Sequence, residues 1–89
     1  MKTPLIALIL TTFGCAAWAG PQCTAEPKEK WIPEATMKQK LEADGYRIKK
    51  FKITQGNCYE IYGRDKQDRK VEIYFNPVDG KIVKQSSDD

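Results

Sequence analysis

The sequence predicts an α+β fold in which one N-terminal helix packs on a three- to four-stranded antiparallel β-meander. Two observations predict it. From Gly45 to Val83 the chain reads as strand-like runs, each closed by a turn signal. A short helical pattern precedes them, and its few apolar residues fall on one face.

Residues 1–19 stand apart from that fold. Lys2 gives a positive start, Leu5 to Ala17 is almost uninterruptedly apolar, and Ala17-Trp18-Ala19 is an A-x-A cleavage signal before Gly20. This is the pattern of a secretory signal peptide. The apolar run is shorter than the roughly 20 residues a membrane-spanning helix needs. A second reading places a lipoprotein site at Phe13-Gly14-Cys15 with Cys15 acylated, although Thr12 stands where such a site carries Leu. Cleavage near Ala19-Gly20 would deliver the mature chain to the periplasm or the medium, with no stable membrane insertion.

Removing 19 of the 89 residues leaves 70, one small domain. A chain of that size buries only about 60 % of its unfolded surface and calls for reinforcement. Cys15 leaves with the leader, so the mature chain keeps Cys23 and Cys58. An even count in an exported chain reads as a disulfide. It closes a loop of 36 residues and stabilises by on the order of 4 kcal/mol on the chain-entropy estimate. A redox-active pair would want a C-x-x-C spacing or a neighbouring His, and the chain has neither. Without Lys2 the balance is 14 basic against 12 acidic residues. Such a small excess marks neither nucleic acid nor an anionic membrane as partner. A monomer is expected.

Gly20 to Ile32 is rich in proline, charge and small residues and reads as an extended segment tethered by Cys23. Pro33 suits a helix start, where its missing N–H is not needed. Glu34 complements the positive end of the helix dipole. Met37 and Leu41 then share a face, and Gly45 after Asp44 stops the helix, giving about three turns over 33–44.

The first strand, Tyr46 to Thr54, points Ile48, Phe51 and Ile53 inward. Their broken alternation predicts a β-bulge near Lys49-Lys50. After the Gln55-Gly56-Asn57 turn, the second strand sets Tyr59, Ile61 and Gly63 against Cys58, Glu60 and Tyr62. Asp65 to Asp68 is a turn, and Val71, Ile73 and Phe75 share one side of the third strand. Asn76-Pro77-Val78-Asp79-Gly80 is a strong turn signal. A short last strand is expected over Lys81 to Lys84, and residues 85–89 read as a disordered tail. By parity Cys58 faces away from the helix, so the disulfide pins the N-terminal segment on the sheet's outer face, with Trp31 covering Tyr62 or Tyr74. The basic run Arg47 to Lys52 reads as a solvated strand face in preference to a phosphate site.

The stretch from Pro33 to Val83 resembles the PepSY domain, a small module of thermolysin-type protease propeptides and of many exported bacterial proteins. The resemblance lies in Lys40-Leu41-Glu42-Ala43-Asp44-Gly45-Tyr46, in Tyr59-Glu60-Ile61, and in the Asp65 to Asp68 turn. It continues through Arg69 to Pro77 and Asp79 to Val83, and is most specific in its terminal pattern, a strand followed by Asn76-Pro77-Val78-Asp79-Gly80-Lys81-Ile82. It implies one helix on an antiparallel sheet and an inhibitory or protein-binding role, with no catalytic residue to carry over. The Cys23–Cys58 pair is an elaboration on that pattern.

Residue chemistry points the same way. The chain has no His, which removes the commonest general base and metal ligand. Ser86 and Ser87, the only serines, have no base beside them. Asp65-Lys66-Gln67-Asp68 lacks the glycine and closing Glu of a calcium loop. Among Glu60, Asp65, Asp68, Glu72 and Asp79 a carboxylate pair is conceivable, but nothing marks an enclosed cleft around it. The expectation is a non-catalytic exported binding module, protease-inhibitory or protein-interacting, with no cofactor and no metal. Its partner would be another envelope protein, a protease or a membrane sensor or reductase; the alternative is an accessory role in an envelope redox or sensor system. Trp31, Tyr62 and Tyr74 are the candidate binding face, against the plainer reading that strands carry aromatics anyway.

Overall fold

A computed structural model describes residues 20–88. The expected leader and the alternative acylation of Cys15 lie outside the described residues. One helix, α1 (Glu34–Ala43), precedes four strands, β1 (Arg47–Ile53), β2 (Tyr59–Arg64), β3 (Lys70–Phe75) and β4 (Ile82–Asp88). They form one antiparallel sheet in sequence order.

Pro33 caps α1 in an extended conformation, and the Met37 N–H closes the first turn on its carbonyl at 2.9 Å. At the other end Gly45, at φ 102°, reverses the chain. The Tyr46 N–H then reaches the Leu41 carbonyl (3.1 Å) and the Gly45 N–H the Glu42 carbonyl (3.0 Å). Those bonds satisfy carbonyls that a helix end otherwise leaves open, and only glycine adopts this φ without a side-chain penalty. Met37 and Leu41 are buried on the sheet with Tyr59, Ile61, Val71, Ile73 and Phe75. Burying a side chain of that size stabilises by about 1.5–3 kcal/mol. This stripe, and not intrinsic propensity, therefore holds a ten-residue helix in place.

The expected bulge is present. β1 shifts register between Ile48 and Lys50 against β2, so Lys49 is the extra residue and Phe51 still faces the core opposite Ile61. The hairpins close through residues in the left-handed region, Asn57 (φ 61°), Asp68 (φ 67°) and Gly80 (φ 77°). Short polar side chains or glycine tolerate that conformation best.

Two expectations need correction. Residues 85–88 are not a frayed tail. β4 runs to Asp88, with Gln85 opposite Ile73, Ser86 opposite Glu72 and Ser87 opposite Val71. Main-chain pairing with β3 orders this stretch although its side chains carry no apolar alternation.

The N-terminal segment is not extended throughout. Lys28–Lys30 form a 3-10 turn in which the Lys30 N–H bonds to the Pro27 carbonyl (2.9 Å) and the Trp31 N–H to that of Lys28 (3.0 Å). The turn carries the chain from the outer face of the sheet round to the helix side. There Trp31 meets Tyr59 edge-on at 5.6 Å between ring centroids and donates its indole N–H to the Glu26 carbonyl.

Candidate functional site

Alternation along β2 and β3 sends Glu60, Tyr62, Glu72 and Tyr74 to the face opposite the helix. Register then brings them together: Glu60 sits opposite Tyr74, and Tyr62 opposite Glu72. The carboxyls lie on one diagonal and the phenols on the other. β1 flanks them with Lys52 opposite Glu60 and Lys50 opposite Tyr62, and β4 with Lys84 opposite Tyr74. The Lys52 ammonium lies 5.8 Å over the Tyr62 ring and that of Lys84 6.0 Å over the Tyr74 ring. The Tyr74 hydroxyl donates to Glu72 Oε2 at 3.0 Å.

Glu60 is the unusual member. It is 3 % exposed, and its Oε2 has no hydrogen-bond partner. A buried carboxylate oxygen without a partner carries its desolvation cost in full. Burial pushes the Glu60 carboxyl up, and hydrogen bonding with Glu72 adds to the shift. That contact pulls Glu72 down, so Glu60 is the first of the pair to take a proton. The Tyr62 phenol faces Glu60 and Glu72, and these two acidic neighbours push it up to about 12. Burial and then Glu72 raise Tyr74 as well.

The N-terminal arm covers one end of this face. Cys23 is disulfide-bonded to Cys58, and its N–H donates to the Gly56 carbonyl at 2.8 Å. The Asn76 amide donates to the Cys23 carbonyl at 3.1 Å. Pro21 lies so close that a methyl added to Gly56 would meet its carbonyl oxygen at 2.1 Å. Gly20 rests on the Tyr74 ring, where an added Cβ would stand 2.8 Å from Cε2 and 3.1 Å from the hydroxyl oxygen. The disulfide thus pins the arm on the outer face, as parity suggested.

The proposed aromatic face does not assemble. Trp31 is in the core beneath the helix and touches neither Tyr62 nor Tyr74; it was misplaced because parity says nothing about a residue outside a strand. Tyr74 is buried under the arm, and Tyr62 is half-buried. Sequence reasoning put Glu60 and Glu72 on one face but missed their meeting, which depends on the register set by the Asp65–Asp68 turn. The other acidic residues do local work. Asp65 accepts from the Gln67 and Arg69 N–H groups and from the Arg69 side chain, and these bonds hold its carboxyl below the usual range. Asp68 pairs with Arg47 and Arg64. Among the described residues no group of three or more His, Cys, Asp or Glu is placed to hold a metal. No helix among them is long and apolar enough to cross a membrane.

The sheet leaves β1 and β4 as edges, and they differ. β1 carries the bulge and four cations, Arg47, Lys49, Lys50 and Lys52, the usual protections against another strand. β4 has one lysine between Ile82 and Ser87 and begins with the exposed apolar pair Ile82 (49 %) and Val83 (44 %).

Helix, meander and hairpin turns define a one-helix, four-stranded antiparallel module. The family described as peptidase propeptide and YPEB domain, PepSY_2, matches residues 4–86. The chain belongs to the PepSY family, and the match reaches beyond Pro33 to Val83 at both ends. Comparisons with curated proteins and with solved structures give no match.

Proposed function

We propose that the protein is exported, is cut after Ala19, and acts as a non-catalytic binding module that takes an extended segment of another envelope protein along β4. The observation that carries this reading is the unprotected β4 edge. Unpaired main-chain groups of an edge strand are a ready template for strand addition, and alternate side chains supply selectivity. Membership of a family described by peptidase propeptides supports a protease as the partner, and the propeptide role suits an inhibitory contact. The outer-face cluster is a poor candidate for catalysis, since the arm and the flanking lysines already occupy its surroundings.

The test is crosslinking of the processed protein to envelope extract, with peptidase inhibition assayed alongside. Ile82→Lys with Val83→Lys adds two edge charges at exposed positions and should leave the melting temperature within a few degrees. It should also cut capture and inhibition at least tenfold, about 1.4 kcal/mol. Undiminished capture by that variant would remove β4 as the binding edge. Capture of a membrane reductase or a sensor kinase, and of no peptidase, would favour the accessory role.

A further inference from the structure

The buried Glu60 Oε2 lacks a partner, although three lysines flank its face. Lys52, directly opposite, turns its ammonium over the Tyr62 ring, and Lys84 turns its own over Tyr74. Lys50 stands opposite Tyr62. Among the described residues the ion pairs involve Asp65 and Asp68, and none involves Glu60. The remaining neighbour is the arm. The Pro21 carbonyl oxygen lies 3.3 Å from the Cys58 sulfur, and the next residue back, Gly20, lies on Tyr74, which faces Glu60 across the strands. The arm therefore runs from the disulfide toward the carboxyl pair. An added Cβ on Gly20 would be 3.1 Å from the Tyr74 oxygen, so standard bond lengths put the Gly20 nitrogen within about 6 Å of that oxygen. The same oxygen donates to Glu72 at 3.0 Å.

We infer that Glu60, Glu72 and Tyr74 form a capture site for the chain's own new N-terminus, and that the α-ammonium of Gly20 is the missing partner of the Glu60 carboxylate. Before processing, the Gly20 nitrogen is a neutral amide with one N–H. Hydrolysis of the Ala19–Gly20 bond adds water: Ala19 departs as a carboxylate, and the Gly20 amine takes a proton. The site then gains a positive charge and three donors where the buried Glu60 Oε2 lacks a donor. Export thus completes the domain, and the uncut chain holds an uncompensated carboxylate. The other polar groups on this face are Arg47, Lys50 and Lys52 from β1, Tyr62 and Arg64 from β2, Lys70 from β3, and Lys84 and Ser86 from β4. The inference rests on the processing site in Ala17-Trp18-Ala19 and is independent of the β4 binding edge.

The signs follow from linkage. An amine held by carboxylates titrates above its ordinary value of about 7.7–8.0. Its stabilisation is complete below that value and is lost as pH rises through the higher folded-state value. At acid pH it fades again as Glu60 takes a proton.

The experiment uses processed protein, whose intact mass must show Gly20 first; any other start overturns the inference, whatever the capture assays show. The Gly20 amine, followed by nitrogen-15 NMR, should titrate about one unit above the ordinary range, a tenfold gain in proton affinity. Glu72→Gln should bring it back toward that range. N-acetylation should lower Tm at neutral pH by at least ~4 °C. Glu60→Gln should lower Tm in the free-amine chain and raise it in the acetylated chain, a reversal that simple loss of packing does not produce. An amine that titrates in the ordinary range overturns the inference even if Glu60→Gln fails to fold. Equal effects of Glu60→Gln in both chains overturn it as well.

Discussion

Glu60 and Tyr62 show how a strand pattern becomes chemistry one residue at a time. Parity alone put both on the face away from the helix; only the four-residue turn after Arg64 sets which β3 residues they meet. A slip of one residue would have exchanged every cross-strand partner and sent Val71, Ile73 and Phe75 to the wrong face. With the observed register, Tyr62 stands among acceptors and its phenol is held at about 12. Ionising it places a third anion beside two carboxylates, with hydrogen bonding to Glu60 the largest contribution and that to Glu72 next. A phenol whose folded-state value is raised contributes stability below its unfolded value of about 10. That contribution is lost as pH rises through about 12. An ultraviolet absorbance titration of the folded protein should therefore show a phenol ionising well after the ordinary tyrosine range, and Glu60→Gln should bring it down. If every phenol titrates in the ordinary range while near-ultraviolet dichroism still reports a folded chain, the cluster is not arranged as described.

At the scale of elements, what the sequence made plain were the features with a local cause. Gly45 ends α1, the broken Ile48–Phe51 alternation signals the bulge, and Asn76-Pro77-Val78-Asp79-Gly80 closes the last hairpin. What stayed hidden were features caused by a partner element. β4 extends to Asp88 because β3 offers a free edge, and Gln85, Ser86 and Ser87 betray nothing of that. The 3-10 turn at Lys28–Lys30 exists because Trp31 must reach Tyr59, a contact across 28 residues of chain. Gly56 joins the two kinds of feature. It belongs to the first hairpin turn, yet the close approach of Pro21 is what forbids a side chain there, with 2.1 Å between an added Cβ and the Pro21 oxygen. Gly56→Ala should therefore displace the arm and leave the hairpin in place. Overpacking of this kind costs about 1–3 kcal/mol. The Cys23 N–H, bonded to the Gly56 carbonyl, should then exchange with solvent at least tenfold faster, while the amides of β2 and β3 stay protected. Unchanged protection at Cys23 would mean that the arm is held by the disulfide alone.

The whole molecule is a small core with one strap. The strap starts on the outer face, is bonded at Cys23 to the first residue before β2, and passes round the end of the sheet. It is anchored again where Trp31 enters the core and the Ile32 N–H meets the Pro77 carbonyl at 2.7 Å. Cys23 and Trp31 are thus independent tethers on opposite faces. This decides what loss of the disulfide does. Cys23→Ser with Cys58→Ser enlarges the unfolded ensemble by reopening a loop of about 36 residues, which costs on the order of 2–4 kcal/mol. A typical domain has only about 5–15 kcal/mol in total, so Tm should fall by about 10 °C or more for a chain this short. The core does not need the bond for its geometry, because helix, meander and Trp31 are held by apolar packing. The double variant should consequently keep its Trp31 fluorescence and strand signal below its lowered midpoint. It should also release the Cys23 end of the strap, seen as faster exchange from Cys23 and restored access to Tyr74. Urea unfolding of the processed protein with and without reductant measures the loss directly. A midpoint indifferent to both reductant and substitution would show that the core alone stabilises this domain; simultaneous loss of the Trp31 signal would show that the two tethers are one cooperative unit.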